Sequence, residues 1–343
     1  MRSETAASLV EAGAPPRLEA RLPSDRWRAA EIAFWLLPIP CYLLFPGYLV
    51  LGSQVFITSL FALSLDLILG YAGIVSLGHA AFFGIGAYTA GLLARNGWGE
   101  PLSGLAAGGV LAAAVGFLVS FLVVRGGDLA RLMVTLGIGQ LVYEAANKAA
   151  GITGGVDGLG GVAMGRILGL FPFDLEGKVA FIYSLAVLFG CFALLRRIVA
   201  SPFGLSLRGI RENGRRMPAL GAPVRRRLVA VFVLSAGLAG VAGALLAQTT
   251  QFVGLEVLGF TRSAELLIIL VLGGTGRLYG GLVGAPLFML AQTFLSRIDP
   301  TYWQFWLGLF LVVAVLLGRG GVLGLADRLA AGLARLRSRR ASP

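Results

Sequence analysis

The stretch of sequence that decides the fold is Ser103-Gly-Leu-Ala-Ala-Gly-Gly-Val-Leu-Ala-Ala-Ala-Val-Gly-Phe-Leu-Val-Ser-Phe-Leu-Val-Val124. It contains no charged residue over 22 positions. A helix rises about 1.5 Å per residue, so a helix of this length crosses a hydrocarbon layer about 30 Å thick. The stretch therefore predicts a transmembrane helix.

The composition of the whole chain agrees with this reading. The 343 residues are 57% hydrophobic and only 13% charged, and the mean hydropathy is +0.83. A soluble protein has about 25% charged residues, so this chain has too few charges to cover a water-exposed surface. The composition predicts an all-α, polytopic integral membrane protein and excludes a soluble one.

Apolar length and flanking charge predict about ten membrane segments. The segments are 31–51, 53–70, 74–94, 103–124, 130–149, 178–199, 228–248, 264–273, 278–296 and 303–318. Segment 264–273 is too short to span as a helix. We therefore expect a discontinuous or partly re-entrant helix within 260–280.

Arginine-rich loops predict the orientation, because cytoplasmic loops carry the excess of Lys and Arg. Residues 196–227 and 319–340 are strongly basic, whereas 147–178 balances its charges and includes a glycine-rich run, 151–161, that we expect to be a flexible external loop. We expect a cytoplasmic N-terminal tail at 1–30, a transmembrane domain at 31–320 with a cytoplasmic region at 201–221, and a basic cytoplasmic tail at 321–343. This placement of the net charge of +12 favours membrane lipid over nucleic acid as the basic partner.

Motifs for chemistry are missing from the sequence. Cys41 and Cys191 lie in apolar runs and His79 is the lone histidine, so neither a disulfide framework nor a metal site is predicted. The sequence has no phosphate loop and no nucleophile elbow. We expect no catalytic residue and no cofactor in this chain; any ATP is bound by another subunit.

Two glycine-rich stretches mark candidate breaks in membrane helices. Leu69-Gly-Tyr-Ala-Gly73 opens one, and Leu272-Gly-Gly-Thr-Gly276 opens the other about 200 residues later. They suggest parallel repeats, although chance similarity is an alternative. Irregular backbone at membrane depth occurs where protein buries it or where it lines a cavity. The glycines therefore indicate either a broken helix that lines a translocation path or close packing of helices. Candidate path residues are Gly73, Ser76, His79, Gly84, Glu265, Gly273 and Gly276.

Ionisable residues inside membrane segments are functional candidates because their insertion is unfavourable. Asp66 is expected to accept hydrogen bonds from freed backbone in the Gly70–Gly73 turn, and His79 to cap or contact a helix. Glu144 and Lys148 are four residues apart and are expected to form an ion pair. An ion-coupled transporter would depend on Asp66 and Glu265, but the sequence supplies no chain of such groups across the bilayer.

Residues 201–217 predict a short amphipathic helix outside the bilayer. Ser201 is a candidate N-cap and Pro202 suits the first helical position. Apolar positions recur at helical spacing, at Phe203, Leu207, Ile210, Gly214 and Met217. Such a helix either lies on anionic lipid headgroups or docks into a groove of a cytoplasmic partner. Composition alone does not choose between them.

Four ordered motifs resemble the permease subunits of branched-chain amino acid ABC transporters, closest to the larger of the two permeases. The motifs are Gly70 to Tyr88, Ser201-Pro-Phe-Gly204 with Arg208 to Gly221, Ala230 to Leu245, and Glu265 to Gly276. The resemblance covers roughly residues 35–320. Arg277-Leu-Tyr-Gly-Gly281 departs from it, because the family often has a Gly-Pro pair there.

The resemblance implies an ATP-driven importer of the bacterial inner membrane. A periplasmic solute-binding protein delivers the solute, a homologous second permease completes the path, and two cytoplasmic ATP-binding subunits supply energy. It also implies that the 201–217 helix couples to an ATP-binding subunit, with Ser201, Phe203, Leu207, Ile210, Arg211, Glu212 and Gly221 as coupling residues. Branched-chain or other apolar amino acids are the expected solutes; urea, short amides or aromatic acids are the alternatives.

Overall fold

The computed structural model describes residues 29–167, 169, 171–172, 174, 176–317 and 320–325. Contacts divide the chain into two units, 1–35 and 36–343. The described residues of the first unit belong to α1, Ala29–Leu36. Of the two predicted tails, residues 1–28 and 326–343 lie outside the described residues.

Helices make up the second unit, as the apolar runs predict, and its described residues contain no strand beyond isolated bridges. The helices are α2 (Pro38–Leu44), α3 (Leu49–Asp66), α4 (Ala80–Arg95), α5 (Pro101–Val123), α6 (Asp128–Lys148), α7 (Ala150–Thr153), α8 (Lys178–Ala200), α9 (Pro202–Asn213), α10 (Val224–Thr250), α11 (Phe260–Gly273), α12 (Leu278–Ile298) and α13 (Trp303–Leu317). The all-α prediction is therefore confirmed.

Five helices in the described part of the chain are long and apolar enough to cross a membrane. They are Pro46–Tyr71, Pro101–Val123, Lys178–Ala200, Val224–Thr250 and Leu278–Ile298; two shorter apolar helices are Glu31–Leu44 and Trp303–Val313. Ten membrane segments stay a prediction.

One predicted boundary is wrong. The sequence suggested separate segments on either side of Gly52, but the helix Pro46–Tyr71 runs through this residue. Gly52 lies against the ring of Phe181 on α8, where an added Cβ would be 2.5 Å from a ring carbon. Here the glycine makes room for a neighbouring ring and does not end the helix.

Close helix packing at glycine holds α4, α5 and α10 together. An added Cβ at Gly86 on α4 would overlap the carbonyl oxygen of Gly240 on α10, and one at Gly243 would overlap that of Phe83. Gly108 on α5 would place its Cβ 2.9 Å from Ala244. Small residues let helix backbones approach closely, so these glycines serve packing.

The two ends of the bundle differ in charge and structure. We call the end with α9 and Arg225–Arg227 the arginine end, and the end with residues 150–167 the loop end. α10 runs between them over 27 residues, about 40 Å. The run 151–161 is not the free loop that the sequence suggested, because Leu159 is fully buried and its backbone exchanges hydrogen bonds with Val253 at 2.8 and 3.2 Å.

Candidate functional site at the two glycine breaks

The first glycine break separates α3 from α4. α3 continues into a π-helical turn, Leu67–Tyr71, and α4 begins only at Ala80. Gly73 adopts φ +74°, a left-handed conformation that favours glycine. Residues 72–79 therefore form a non-helical segment inside an otherwise helical bundle.

Side chains from distant helices satisfy the backbone of this first break. Thr135 Oγ1 on α6 accepts a hydrogen bond from the Leu77 N–H at 3.2 Å. Ser263 Oγ on α11 accepts one from the Ala80 N–H at 2.9 Å. Buried backbone groups need such partners in an apolar bundle. Neither Thr135 nor Ser263 was predicted from the sequence; a hydroxyl inside an apolar segment is the signal that could have found them.

His79 makes helix contacts, as expected, beside the first break. Its Nε2 lies 2.9 Å from the Ser64 hydroxyl on α3, and its ring stacks on Phe61 with centroids 5.7 Å apart. His79 and Ser76 are both buried, and neither His79 Nδ1 nor Ser76 Oγ has a hydrogen-bond partner among the described residues. Gly84, also proposed for the path, instead packs under the Leu258 side chain.

The second glycine break separates α11 from α12 and is much shorter. Gly274 and Gly276 adopt φ +110° and +76°, and α12 begins at Leu278, directly after Arg277. α11 and α12 then touch through their backbones, because a Cβ at Gly273 would overlap the Gly280 carbonyl oxygen and one at Gly284 would overlap that of Ile269. The 260–280 region thus contains a discontinuous helix.

Three glycines in this region are spaced by four residues. In one continuous helix this spacing would place Gly276, Gly280 and Gly284 on a single face. Gly280 and Gly284 do face α11, but Gly276 precedes the helix. Its positive φ takes it out of the helical register.

The two breaks meet at Asp66. Asp66 Oδ1 accepts a hydrogen bond from the Gly276 N–H at 2.8 Å. The sequence suggested that this carboxylate bonds to the Gly70–Gly73 turn, but it binds the second break. A Cβ at Gly70 would lie 2.5 Å from the Gly276 nitrogen. Direct backbone approach at Gly70 and Gly276 therefore brings residues about 200 positions apart into one junction.

α9 covers this junction at the arginine end. Leu207 and Ile210 are buried against the chain's own helices, while Phe203 is half-buried. Arg211 donates a hydrogen bond to the Gly70 carbonyl, and the Arg208 guanidinium lies 5.3 Å from the centre of the Tyr71 ring. α9 therefore contacts both breaks directly, since an added Cβ would lie 3.1 Å from Arg211 Cγ at Gly73 and 2.8 Å from Arg211 Nη1 at Gly276.

Details of α9 differ from the prediction. The helix ends at Asn213 and not at residue 217, since Asn213 Oδ1 accepts from the Arg216 N–H and a 3₁₀ turn, Met217–Leu220, follows. Ser201 occupies the N-cap position, but its hydroxyl donates to the Ile198 carbonyl at 2.6 Å. Glu212 is exposed, and Gly221 ends the turn with φ +77°.

Glu265 lies away from this junction, in a shallow cleft between α3, α11 and α12. It pairs with Arg262 one helical turn earlier, at 3.1 Å. Thr58 and Gln292 add polar groups to the cleft.

Glu144 on α6 does not form the expected ion pair. It accepts a hydrogen bond from Gln140 at 3.4 Å, and a pair with Lys148 is absent from the ion pairs of the described residues.

Comparisons with known proteins identify the family of this chain. Residues 48–317 match the family described as branched-chain amino acid transport system / permease component. No solved structure gives a significant match.

Three curated relatives are similar to this chain. The high-affinity branched-chain amino acid transport system permease protein LivM of Escherichia coli is 30% identical over 81% of this chain and 70% of its own length. Its counterpart in Salmonella typhimurium is 31% identical over the same shares. The L-arabinose ABC transporter permease protein AraH of Azospirillum brasilense is 31% identical over 64% of this chain and 61% of its own length.

The family is one of transporter permeases and not a class of enzyme. Its match covers residues 48–317, and therefore both glycine breaks, the Asp66 junction and α9. The chain belongs to the family of branched-chain amino acid transport system permease components.

Proposed function

We propose that this chain is the membrane-spanning permease subunit of an ATP-driven importer for branched-chain or other apolar amino acids. A periplasmic solute-binding protein supplies the solute, and a homologous second permease forms the path together with this chain. Two cytoplasmic ATP-binding subunits bind and hydrolyse ATP. Family membership and the LivM relatives support this proposal.

The proposed orientation places the arginine end in the cytoplasm of the bacterial cell and the loop end outside the inner membrane. Nine arginines in 196–227 support it through the positive-inside rule and through attraction to anionic lipid headgroups. In this orientation both tails, 1–30 and 321–343, are cytoplasmic, the transmembrane domain is 31–320, and 201–221 is the region that meets an ATP-binding subunit.

The observation that carries the coupling role is the position of α9 on the junction. Its apolar residues Leu207 and Ile210 are already buried on the bundle, so they hold the helix to the membrane domain and are not available to a partner. Arg211 binds the Gly70 carbonyl on one face, while Glu212 is exposed on another. An ATP-binding subunit that binds the exposed surface near Glu212 and Gly221 would displace α9 when it changes conformation. The displacement of α9 would then shift the first break.

The Asp66 junction supports transmission to both halves of the permease. Because the Gly276 N–H binds Asp66 only four residues before Gly70, a displacement at Gly70 reaches α11 and α12 as well as α3. Ser263 on α11 is bonded in turn to Ala80 at the start of α4. We therefore propose that the two breaks line the translocation path and move during transport. The path residues in or beside them are Gly73, Ser76, His79, Gly273 and Gly276.

The same type of permease could carry another solute, since a relative is named for L-arabinose, and urea, short amides or aromatic acids are the alternatives from the sequence. Ion coupling is less well supported. Asp66 Oδ1 accepts from Gly276 and Glu265 Oε2 pairs with Arg262, and the described residues contain no chain of ionisable groups that joins the two carboxylates.

The test replaces Glu212 by Arg in the full chain, coexpressed with its second permease and ATP-binding subunits. We expect the amount of copurified ATP-binding subunit and the rate of ATP-driven uptake to fall at least about tenfold, a change of about 1.4 kcal/mol in association. The purified permease should keep its melting temperature, because Glu212 is exposed. Ile210→Asp is a poorer test, since it places a charge against the bundle.

The matched control is Glu256→Arg, another exposed glutamate, at the loop end. It should leave copurification of the ATP-binding subunit unchanged, because α10 separates the two ends by about 40 Å. Wild-type association in Glu212→Arg would overturn the placement of the coupling surface. Uptake by wild-type protein without nucleotide hydrolysis would overturn the proposed function as a whole.

A further inference from the structure

The cleft between α3, α11 and α12 lies near mid-depth in the bundle. Phe61 lines it, and Phe61 stands nine residues before Gly70 on the helix Pro46–Tyr71, about 14 Å from the arginine end. About 22 Å of the same helix extends toward the loop end. Transporters commonly bind their substrates near this depth, beside discontinuous helices.

Two opposite charges face this cleft from α11. Arg262 Nη1 lies 3.1 Å from Glu265 Oε2, and the side chains are 38% and 27% exposed. Within the described part of the chain, neither side chain makes another hydrogen bond. A guanidinium has five N–H donors and a carboxylate has two acceptor oxygens, so most of their bonding capacity faces the cleft unused.

We propose that Arg262 and Glu265 bind the zwitterionic head group of the transported α-amino acid, an inference that rests on the proposed function. An α-amino acid carries its carboxylate and ammonium on one carbon, so it also presents opposite charges within one short distance. The guanidinium fork binds the carboxylate, and the free Glu265 oxygen accepts from the ammonium. The ion pair thus becomes a four-charge cluster with alternating signs.

The rest of the cleft has apolar walls beside the charged pair. Leu266, Ile269, Phe288 and Phe61 supply these walls, and Thr58 and Gln292 supply two further polar groups. Apolar walls with convergent polar groups are typical of small-molecule sites. The apolar walls favour a branched or aromatic amino acid over a sugar, which would need hydrogen-bond partners around its whole ring.

The cleft is connected to the first break by two contacts. Ser263 lies between the two charged residues in sequence, and its hydroxyl accepts from the Ala80 N–H. Phe61 stacks on His79, the residue before α4. A solute that shifts α11 or Phe61 would therefore shift the start of α4, which links solute binding to the junction under α9.

The test is the double variant Arg262→Gln/Glu265→Gln, which removes both charges and keeps groups able to hydrogen-bond each other. The wild-type and variant chains are purified with their second permease and ATP-binding subunits and reconstituted in vesicles with the solute-binding protein. Uptake is measured for L-leucine, L-arabinose and acetamide, with and without ATP. We expect L-leucine uptake to fall about hundredfold, as the loss of two charge-assisted contacts implies.

The matched control is Asp128→Asn/Arg131→Gln. It removes another ion pair with three-residue spacing, at 3.2 Å in the first turn of α6 and outside the cleft. It should leave L-leucine uptake within about twofold of wild type. The double variant in the cleft should keep its melting temperature and its copurified subunits, because replacing an ion pair by neutral groups is often neutral for stability.

Each outcome separates the two proposals. Near-wild-type L-leucine uptake in Arg262→Gln/Glu265→Gln would show a purely structural pair and overturn the inference. ATP-dependent uptake of L-arabinose or acetamide but not of L-leucine by wild type would overturn it too, while leaving the ATP-driven function intact. Uptake that does not depend on ATP would overturn the proposed function, whatever the variant does.

Discussion

The two glycine breaks do the same topological task by different means. The first runs over residues 72–79. Side chains from α6 and α11 satisfy its backbone through Thr135 and Ser263, and Gly78 packs directly against the Thr135 carbonyl on α6. The second runs over residues 274–277, and there α11 and α12 touch backbone to backbone at Gly273 and Gly280.

This difference in contacts determines how far each break can change its conformation when the helices move. Side-chain hydroxyls can exchange partners by rotation when helices move, so the Gly73 end of the first break can adapt, whereas its Gly78 end is held by backbone contact with α6. Backbone contact at glycine leaves no side chain to adjust, so the second break is fixed in shape and moves as one body. Asp66 joins the fixed break to the adaptable one.

The largest effect is expected from Gly273→Ala in the second break. The added methyl would overlap the Gly280 carbonyl oxygen, and no side chain can rotate away. We expect the free energy of unfolding of the full-length permease in mixed detergent micelles to fall by about 3 kcal/mol. Gly190→Ala is the control, since nothing lies within 4 Å of its Cβ on α8. A loss no larger than that of the control would contradict the rigid second break.

An intermediate effect is expected from Asp66→Ala, which separates the two breaks. It leaves the Gly276 N–H without its acceptor in an apolar bundle, and we expect a loss of about 2 kcal/mol in the same unfolding measurement. Asp66→Asn keeps an oxygen at this position and should recover at least half of the loss. If Asn is as damaging as Ala, the charge and not the hydrogen bond holds the junction.

The smallest effect is expected from Gly73→Ala in the first break. Its φ of +74° strains an alanine by about 1 kcal/mol, but the atom nearest to the added Cβ is Cγ of the flexible Arg211 side chain, 3.1 Å away. Gly221→Ala is the matched control, with φ +77° and no neighbour within 4 Å. Equal losses of unfolding free energy in the two variants would confirm that the first break adapts to the added methyl group at Gly73. A clearly larger loss in Gly73→Ala would show that the first break is rigid there, like the second.

Much of the site could be read from residue types. Glycine marked both breaks, Asp66 and Glu265 were among the few intramembrane carboxylates that the sequence singled out, and apolar spacing marked α9 with its buried Leu207 and Ile210. Thr135 and Ser263 were not predicted, because a hydroxyl in an apolar helix more often hydrogen-bonds to its own preceding turn. Which backbone group such a hydroxyl binds depends on how the neighbouring helices pack.

The sequence by itself determined that the chain is helical, apolar and basic at one end, since hydrophobic length and charge placement act locally along the chain. The tertiary structure alone decided which break Asp66 holds, which face of α9 is buried and which loop residues are pinned, as Leu159 is by Val253. These depend on contacts between residues far apart in sequence, and such contacts exist only once the helices have packed.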